Sequence, residues 1–421
     1  MSASARTKHL VFLRGEKRFV STVENNTRQV LAGVRVLELG QLIAGPFCAK
    51  TLADFGAEVI KIEPPEHGDP LRKWRLLKDG ESVWWQVQSR NKQSVTIDLR
   101  TEEGQALVRL LAVEADILIE NFKPGTLESW GLGWDQLSAS NPSLVMVRFS
   151  GFGQDGPCRD LPGFGAIAEA MGGLRYLTGE PGRVPVRTGI SIGDTLAALH
   201  GTIGALLALY DRKVNGGKGQ VIDVALYESV FNCMESLLPE YSAFGVVREP
   251  SGSALPGISP SNAYRCSDGT LLIAGNGDSI YKRLMNLIDR SDLAQRPELA
   301  QNDGRTQHVA EIDAAITEWT AKQTVAGALA ALSLVQVPAS RIFTAKDIAE
   351  DPQYKARGMI QRITTRAGYE IDVPGIVPKL SMTPGAIRSP APALGENTDA
   401  VLGEIGVSAE RLAALVNAKI V

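Results

Sequence analysis

Four stretches of the 421-residue chain carry side chains that could do chemistry. The first is Gly189-Ile190-Ser191-Ile192-Gly193, a Gly-x-Ser-x-Gly pattern between the extended run 183–188 and an apolar helix, which is the setting of a hydrolase nucleophile elbow. A serine esterase or thioesterase built on Ser191 also needs an acid and then a histidine downstream. The later histidines are His200, one to two turns into the same helix, and His308, in a polar segment, and no HGGG-type oxyanion segment is evident. The second is Asp194, one position beyond that pattern. It reads either as the N-cap of the helix or as a carboxylate nucleophile at a helix entrance, where the helix dipole would favour its ionised form. The third is a basic patch, Arg72, Lys73, Arg75 and Lys78 around Trp74, with Arg90 and Lys92 beyond. Most such runs are solvated surface; with Trp84, Trp85 and Phe122 this one could hold a ligand both polyanionic and planar, as an adenine nucleotide is. The fourth is the turn Gly40 to Gly45, with Glu63 about where a Rossmann fold places its ribose-binding acid. Its GxGxxG fingerprint is broken, and Pro46 replaces the lysine of a P-loop but suits the first turn of a helix.

The elements that must position these residues alternate. From residue 34, VRVLEL, PFCAKTLADF and AEVIKIE read as a strand–helix–strand unit. VTIDL at 95–99 and ILIENF at 117–122 bracket a helix starting near Thr101, with Glu102 and Glu103 in its first turn, and LVMVRF at 144–149 follows. Such alternation predicts a largely parallel sheet covered on both faces. Residues 165–175 and 195–214 read as helices, the second buried. The Gly, Ser and Pro stretch 251–262 reads as a hinge or active-site loop, followed by a hairpin turning at Asp268 and Gly269 and by helices over about 279–333. Pro374, Pro378, Pro384, Pro390 and Pro392 mark an extended tail that wraps over another part of the molecule.

The organisation expected is therefore α/β: a mobile extension 1–30, a large Rossmann-like domain 31–230 with a parallel sheet, a linker and active-site loop 231–262, a smaller α/β domain 263–335, and a C-terminal segment 336–421 returning to the large domain. Net charge −3 argues against a broad nucleic-acid-binding face. Cys48, Cys158, Cys233 and Cys266 form no CxxC pair and the four histidines are scattered, so no metal site is expected. The most apolar run, 196–210, is too short to span a membrane, and no membrane partner is expected. Residues 1–30 mix Arg6, Lys8, Arg14, Lys17 and Arg18 with Glu16 and Glu24 and lack an apolar core. A cytoplasmic location is expected, with a mitochondrial address in that extension as the alternative.

Ordered matches along the chain resemble the class III CoA-transferase family, of the formyl-CoA transferase or carnitine-CoA transferase type. They are 31–72 (LAGVRVLELGQLIAGPFCAKTLADFGAEVIKIEPPEHGDPLR), 90–104, 115–133, FSGFGQDGP at 149–157, 166–179, GISIGDTLAALHGTIGALLAL at 189–209, 351–360 and APALGENTDAVL at 391–402. The resemblance implies an interlaced homodimer and no tightly bound cofactor, with a coenzyme A thioester and a small carboxylic acid as substrates. It puts the catalytic aspartate on Asp194. It puts coenzyme A contacts on Leu42, Ile43 and Ala44, on Ile97, Asp98, Leu99 and Arg100, and on Asn121 and Phe122, with Gly163 and Phe164 against the pantetheine arm.

Three departures from the family pattern matter. Pro64 stands where some members carry an arginine near the nucleotide, which leaves Arg72, Arg75 or Arg100 to hold the phosphates. The covering loop, SGSALPGISP, has only Gly252 and Gly257. The related racemases place a catalytic histidine in a Gly-His-Asp step, whereas this chain has Gly163-Phe164-Gly165, which excludes proton exchange by that base. The implied reaction passes from ionised Asp194 through an aspartyl anhydride to an aspartyl-CoA thioester. Backbone N–H groups near Gly257 are the expected oxyanion donors, and Arg187 or Arg175 the reader of a distal carboxylate. Succinyl-CoA is the expected donor and a C4 to C6 dicarboxylate the expected acceptor. A serine esterase and a non-catalytic coenzyme A-binding protein are the alternatives.

Overall fold

The computed structural model describes residues 28–421, so most of the N-terminal extension, residues 1–27, lies outside the described residues. Six strands form the central sheet: β1 (Arg35–Glu38), β2 (Glu58–Glu63), β3 (Lys92–Thr96), β4 (Ile117–Glu120), β5 (Val145–Ser150) and β6 (Val221–Ala225). Their order is 3-2-1-4-5-6, and every neighbouring pair is parallel. That is the Rossmann order, whose direction reverses between β1 and β4 and leaves a crevice at their carboxyl ends.

Alternation along each strand fills two cores. On one face Leu37, Ile60, Val95, Leu118 and Met146 meet Leu107, Val108 and Leu111 of α2 (Glu102–Val113). On the other, Val36, Val59, Ile119, Val147 and Phe149 meet α1 (Ala44–Asp54) and a long helix. The helices that follow α2 near the crevice are α3 (Gly165–Met171), α4 (Ile192–Val214), which is that long helix, and α5 (Leu226–Phe231). Helix α4 lies close to the sheet because its inner face is small: a Cβ on Gly201 would stand 2.3 Å from Phe149 Cζ. With 23 residues α4 is long and apolar enough to cross a membrane by composition, longer than the sequence suggested. Here that small face packs Ala197, Ala198, Ala205 and Ala208 into the core.

A three-stranded antiparallel sheet, β7 (Ser261–Cys266), β8 (Gly269–Ala274) and β9 (Ala339–Arg341), carries the smaller domain. Its hairpin turns at Ser267 and Asp268, one residue earlier than expected, because Cys266 pairs with Gly269 and Asp268 Oδ1 accepts the Val325 N–H. The chain then runs back along the large sheet. Ser94 N–H donates to Asn397 Oδ1 and Thr96 N–H to Thr398 Oγ1, each at 3.0 Å, and Asp98 N–H to the Ile420 carbonyl at 2.7 Å. Those bonds occupy the open edge of β3, which would otherwise present unpaired backbone.

Candidate active site

The loop after β1 is set by buried charge. Lys61, in the middle of β2, places Nζ 2.9 Å from Glu38 Oε1, 2.9 Å from Asp69 Oδ2 and 2.8 Å from the Gly40 carbonyl. Lys92 Nζ lies 2.7 Å from Glu38 Oε2 and donates to the Pro46 carbonyl at 2.9 Å. Burial works against the Lys61 charge, but Asp69, Glu38 and Glu63 outweigh it and hold the ammonium protonated. Asp69 in turn accepts the Leu42 N–H with both oxygens at 3.1 Å. Leu42 has φ 63°, a strained left-handed conformation that these bonds maintain. Gly40 and Gly45 are glycines because a Cβ on either would stand 3.2 Å from the other's Cα.

Asn121, just past β4, clasps the same loop. Its Oδ1 accepts the Gln41 N–H at 2.8 Å and its Nδ2 donates to the Gln41 carbonyl at 2.7 Å. Glu120 accepts the Phe122 N–H at 2.7 Å and Arg148 Nε at 2.7 Å; burial, only partly offset by Arg148, pushes its carboxyl up to about 7. Phe122 meets Trp130 edge-on at 5.2 Å.

Two cavities open at this end of the sheet. The larger, about 690 Å³, is lined by Leu42, Ile43 and Ala44, by Asn121 and Phe122, by Gly163 and Phe164, and by Arg75, Arg187 and Asp194. The smaller, about 330 Å³, lies over the ends of β2 and β3 and is lined by Ile97, Asp98, Leu99 and Arg100. Gln41 and Phe122 line both, so the two adjoin. Leu42 to Ala44, Arg75, Ile97 to Arg100, Asn121 and Phe122, Gly163 and Phe164, and Arg187 with Asp194 therefore converge on one continuous surface, although they come from six separate stretches of chain.

Asp194 is not the N-cap of α4. Ser191 is, without a side-chain cap bond, and Asp194 is the third helical residue. Its carboxylate rests on the backbone of α3: a Cβ on Gly165 would stand 1.9 Å from Asp194 Oδ2. The helix entrance was expected to favour ionisation, but the opposite dominates. Burial, with Glu169 adding to it, pushes the carboxyl up to about 6 against its own N–H and Arg187. At neutral pH it is still mostly ionised, and it is a stronger base than an exposed aspartate.

Other expectations are redirected. Arg72 lines neither cavity: Nε and Nη2 each donate to Glu63 at 2.7 Å, Nη1 donates to the Pro392 carbonyl, and the guanidinium stacks on Trp85 at 3.8 Å. It is a structural cation with Glu63 as its counter-ion, and Glu63 also lines the smaller cavity. Arg75 is exposed into the larger cavity with its guanidinium 5.2 Å from the Trp84 ring. Arg100 is 80% exposed and donates to Asp98 at 2.8 and 2.9 Å. Arg175 is bonded to Glu169, whereas Arg187 reaches the Asp194 cavity. The Gly257 carbonyl accepts Asn302 Nδ2 at 2.8 Å, and Gly257 lines a separate recess with Thr306 and Asp313 instead of the Asp194 cavity. Ser191 Oγ has Arg187 at 3.4 Å as its partner, while His200 Nδ1 bonds the Leu196 carbonyl, so no serine–histidine pair forms at Ser191 among the described residues. The network of Glu38, Lys61 and Asp69 was missed; its one sequence signal is a lysine inside the apolar strand EVIKIE.

Residues 31–398 match the profile of CoA-transferase family III. The chain belongs to that family. It is an enzyme of the class III CoA-transferase type. The chain is 49% identical over 388 residues, 91% of its own length and 96% of the relative's, to a succinyl-CoA–D-citramalate CoA-transferase of Chloroflexus aurantiacus. It is 42% identical to the beta subunit of a succinyl-CoA–L-malate CoA-transferase of the same organism, covering 89% and 94% of the two chains. A CAIB/BAIF family protein from Brucella suis has a similar crystal structure, with TM-score 0.79, 36% identity and coverage of 90% and 99% of the two chains.

Proposed function

We propose that this family III transferase moves coenzyme A from succinyl-CoA to a C4 to C6 dicarboxylic acid, with Asp194 as covalent nucleophile. One observation carries the reading: a half-buried carboxylate with no cation bonded to it among the described residues stands in a cavity that adjoins, through Gln41 and Phe122, a second cavity over the strand ends. The acyl pair is supported by the two Chloroflexus relatives, which are named for succinyl-CoA and for citramalate or malate.

In this reading the adenosine end of coenzyme A lies against Ile97, Asp98, Leu99 and Arg100, with Arg75 and Arg100 on its phosphates. The pantetheine arm passes Phe122 and the Leu42–Ala44 turn, and Gly163 and Phe164 flank the thioester. An Asp194 oxygen attacks the thioester carbonyl and the C–S bond breaks, giving a succinyl–aspartyl anhydride and CoA thiolate. The thiolate attacks the aspartyl carbonyl, succinate leaves, and an aspartyl-CoA thioester remains. The acceptor carboxylate then displaces the thiolate to form a second anhydride, and the thiolate attacks the acceptor carbonyl, releasing acyl-CoA and free Asp194. No step calls for a tightly bound cofactor. Arg187, whose one bonded partner among the described residues is Ser191 at 3.4 Å, reads the distal carboxylate. Arg187→Met is expected to raise the acceptor KM more than tenfold with a smaller change in kcat.

The enzyme acts as a homodimer. Leu199, Ile203, Leu207 and Tyr210 make an exposed apolar stripe along α4, and Tyr241 and Phe244 are exposed as well; contiguous apolar surface of this kind marks an interface. Intact-protein mass spectrometry after mixing with succinyl-CoA and hydroxylamine tests the mechanism. A hydroxamate at Asp194 in the wild type, absent from Asp194→Ala, is expected; an unmodified Asp194 with both proteins equally active would sink it.

A further inference from the structure

Helix α3 carries a second carboxylate behind the nucleophile. Glu169 is 1% exposed and lines neither cavity. Its Oε2 accepts Arg175 Nη2 at 2.9 Å, while its Oε1 and Arg175 Nε have no hydrogen-bond partner among the described residues. Helix α3 crosses the first turn of α4 at two glycines: a Cβ on Gly193 would stand 2.9 Å from the Gly165 carbonyl oxygen and 3.5 Å from Glu169 Cγ. The Glu169 side chain therefore lies against the residue preceding Asp194.

The other charges around this crossing are engaged elsewhere or face the cavity. Arg187 approaches Asp194 from the preceding loop, on the cavity side. Asp223, in the middle of β6, accepts the Gln154 N–H, and Glu228 of α5 is exposed and accepts the Tyr227 hydroxyl. Arg148 is held by Glu120 and Glu128, and His200 by the Leu196 carbonyl.

We propose that the Arg175–Glu169 pair is a positioning element of the transfer: the Glu169 charge behind the nucleophile turns the Asp194 carboxylate toward the open cavity, and Arg175 sets how much of that charge Asp194 meets. Gly165, whose missing Cβ makes room for the Asp194 oxygens, lets the two carboxylates share one crossing. The direction of the Asp194 shift agrees, since Glu169 raises it and Arg187 lowers it. A more basic carboxylate is a better nucleophile toward the thioester and a poorer leaving group from the anhydride, so the size of the Glu169 effect balances two steps.

The inference rests on Asp194 being the nucleophile, and two readouts separate the two ideas. The first is the pH profile of kcat/KM for succinyl-CoA. The second is the pH dependence of carbodiimide-promoted labelling of Asp194 by glycine ethyl ester, which needs the protonated acid and no turnover. Glu169→Gln is expected to move both midpoints down by about half to one pH unit, and Arg175→Met to move both up by a similar amount. Arg175→Lys is expected to restore the wild-type midpoints. Labelling midpoints unmoved in folded Glu169→Gln and Arg175→Met proteins would overturn the proposal. Labelling that shifts while the rate profile stays still would sink the nucleophile assignment, and the inference with it.

Discussion

Around the carboxyl end of β1, Glu38, Lys61, Asp69 and Lys92 are buried as deeply as the apolar core, and each meets an opposite charge within 3 Å. Asp194, across the same crevice, is half-buried, has no bonded cation among the described residues, and has a second carboxylate, Glu169, nearby. The first group returns the cost of its desolvation through ion pairs and backbone bonds, and the result is a fixed turn at Leu42. The second keeps part of that cost as basicity. A buried charge with complete partners acts as a strut, and one left short of partners stays reactive.

The contrast breaks most sharply at Asp194 itself. Asp194→Asn is expected to lower kcat roughly ten-thousandfold or more, measured by coenzyme A exchange. The same change is expected to stabilise the fold at pH 7 and above, by at most about 3 kcal/mol from the shift between the ordinary 3.8 and about 6. The folded protein binds this proton more tightly than the unfolded chain does, so ionising the carboxyl costs folded-state stability as pH rises from 3.8 to about 6. The amide has no such cost, and its advantage is expected to vanish near pH 4. Urea unfolding at both pH values checks the sign.

Lys61→Met makes the opposite test, since it leaves Glu38 and Asp69 without a shared cation. A loss of about 3–5 kcal/mol is expected by urea unfolding, together with a raised KM for the CoA thioester as the Leu42 turn loosens. Stability unchanged in that variant would mean the network is no strut. Gly165→Ala sharpens the comparison without touching charge: the new Cβ must displace the Asp194 carboxylate, and kcat is expected to fall about a hundredfold with the thioester KM little moved. Arg100→Ala is the smallest change. With its guanidinium exposed, it is expected to leave the unfolding midpoint where it was and to raise the thioester KM less than tenfold, an effect that shrinks with added salt.

The sheet was legible wherever strands are apolar, and less so where polar atoms are satisfied at a distance. The third strand reads from the sequence as 95–99 but runs Lys92–Thr96, because Lys92 and Ser94 are paired with Glu38, Pro46, Glu63 and the returning tail. The helix expected over 165–175 stops at Met171, where Gly173 takes φ 95° and a separate turn, Leu174–Leu177, begins. For the site, Leu42–Ala44, Ile97–Arg100, Asn121, Phe122 and Asp194 were placed by motif, and they line adjoining cavities. Arg72 was expected to hold phosphate from the basic patch and from Pro64 standing where some members carry an arginine, and its commitment to Glu63 rests on a tertiary contact.

The amino-acid order by itself determined the parallel α/β plan, the glycine-flanked turn after the first strand, and an aspartate at the entrance of a long apolar helix. All three follow from local periodicity and backbone freedom, which depend on near neighbours in the chain. Only the tertiary structure decided which charges became struts, that Asp194 is the third residue of α4 instead of its cap, and that its carboxyl is pushed up to about 6. Desolvation and ion pairing depend on what stands within a few ångströms in space. Here those neighbours, Glu38 and Lys61, Glu63 and Arg72, Gly165 and Asp194, come from separate stretches of the chain.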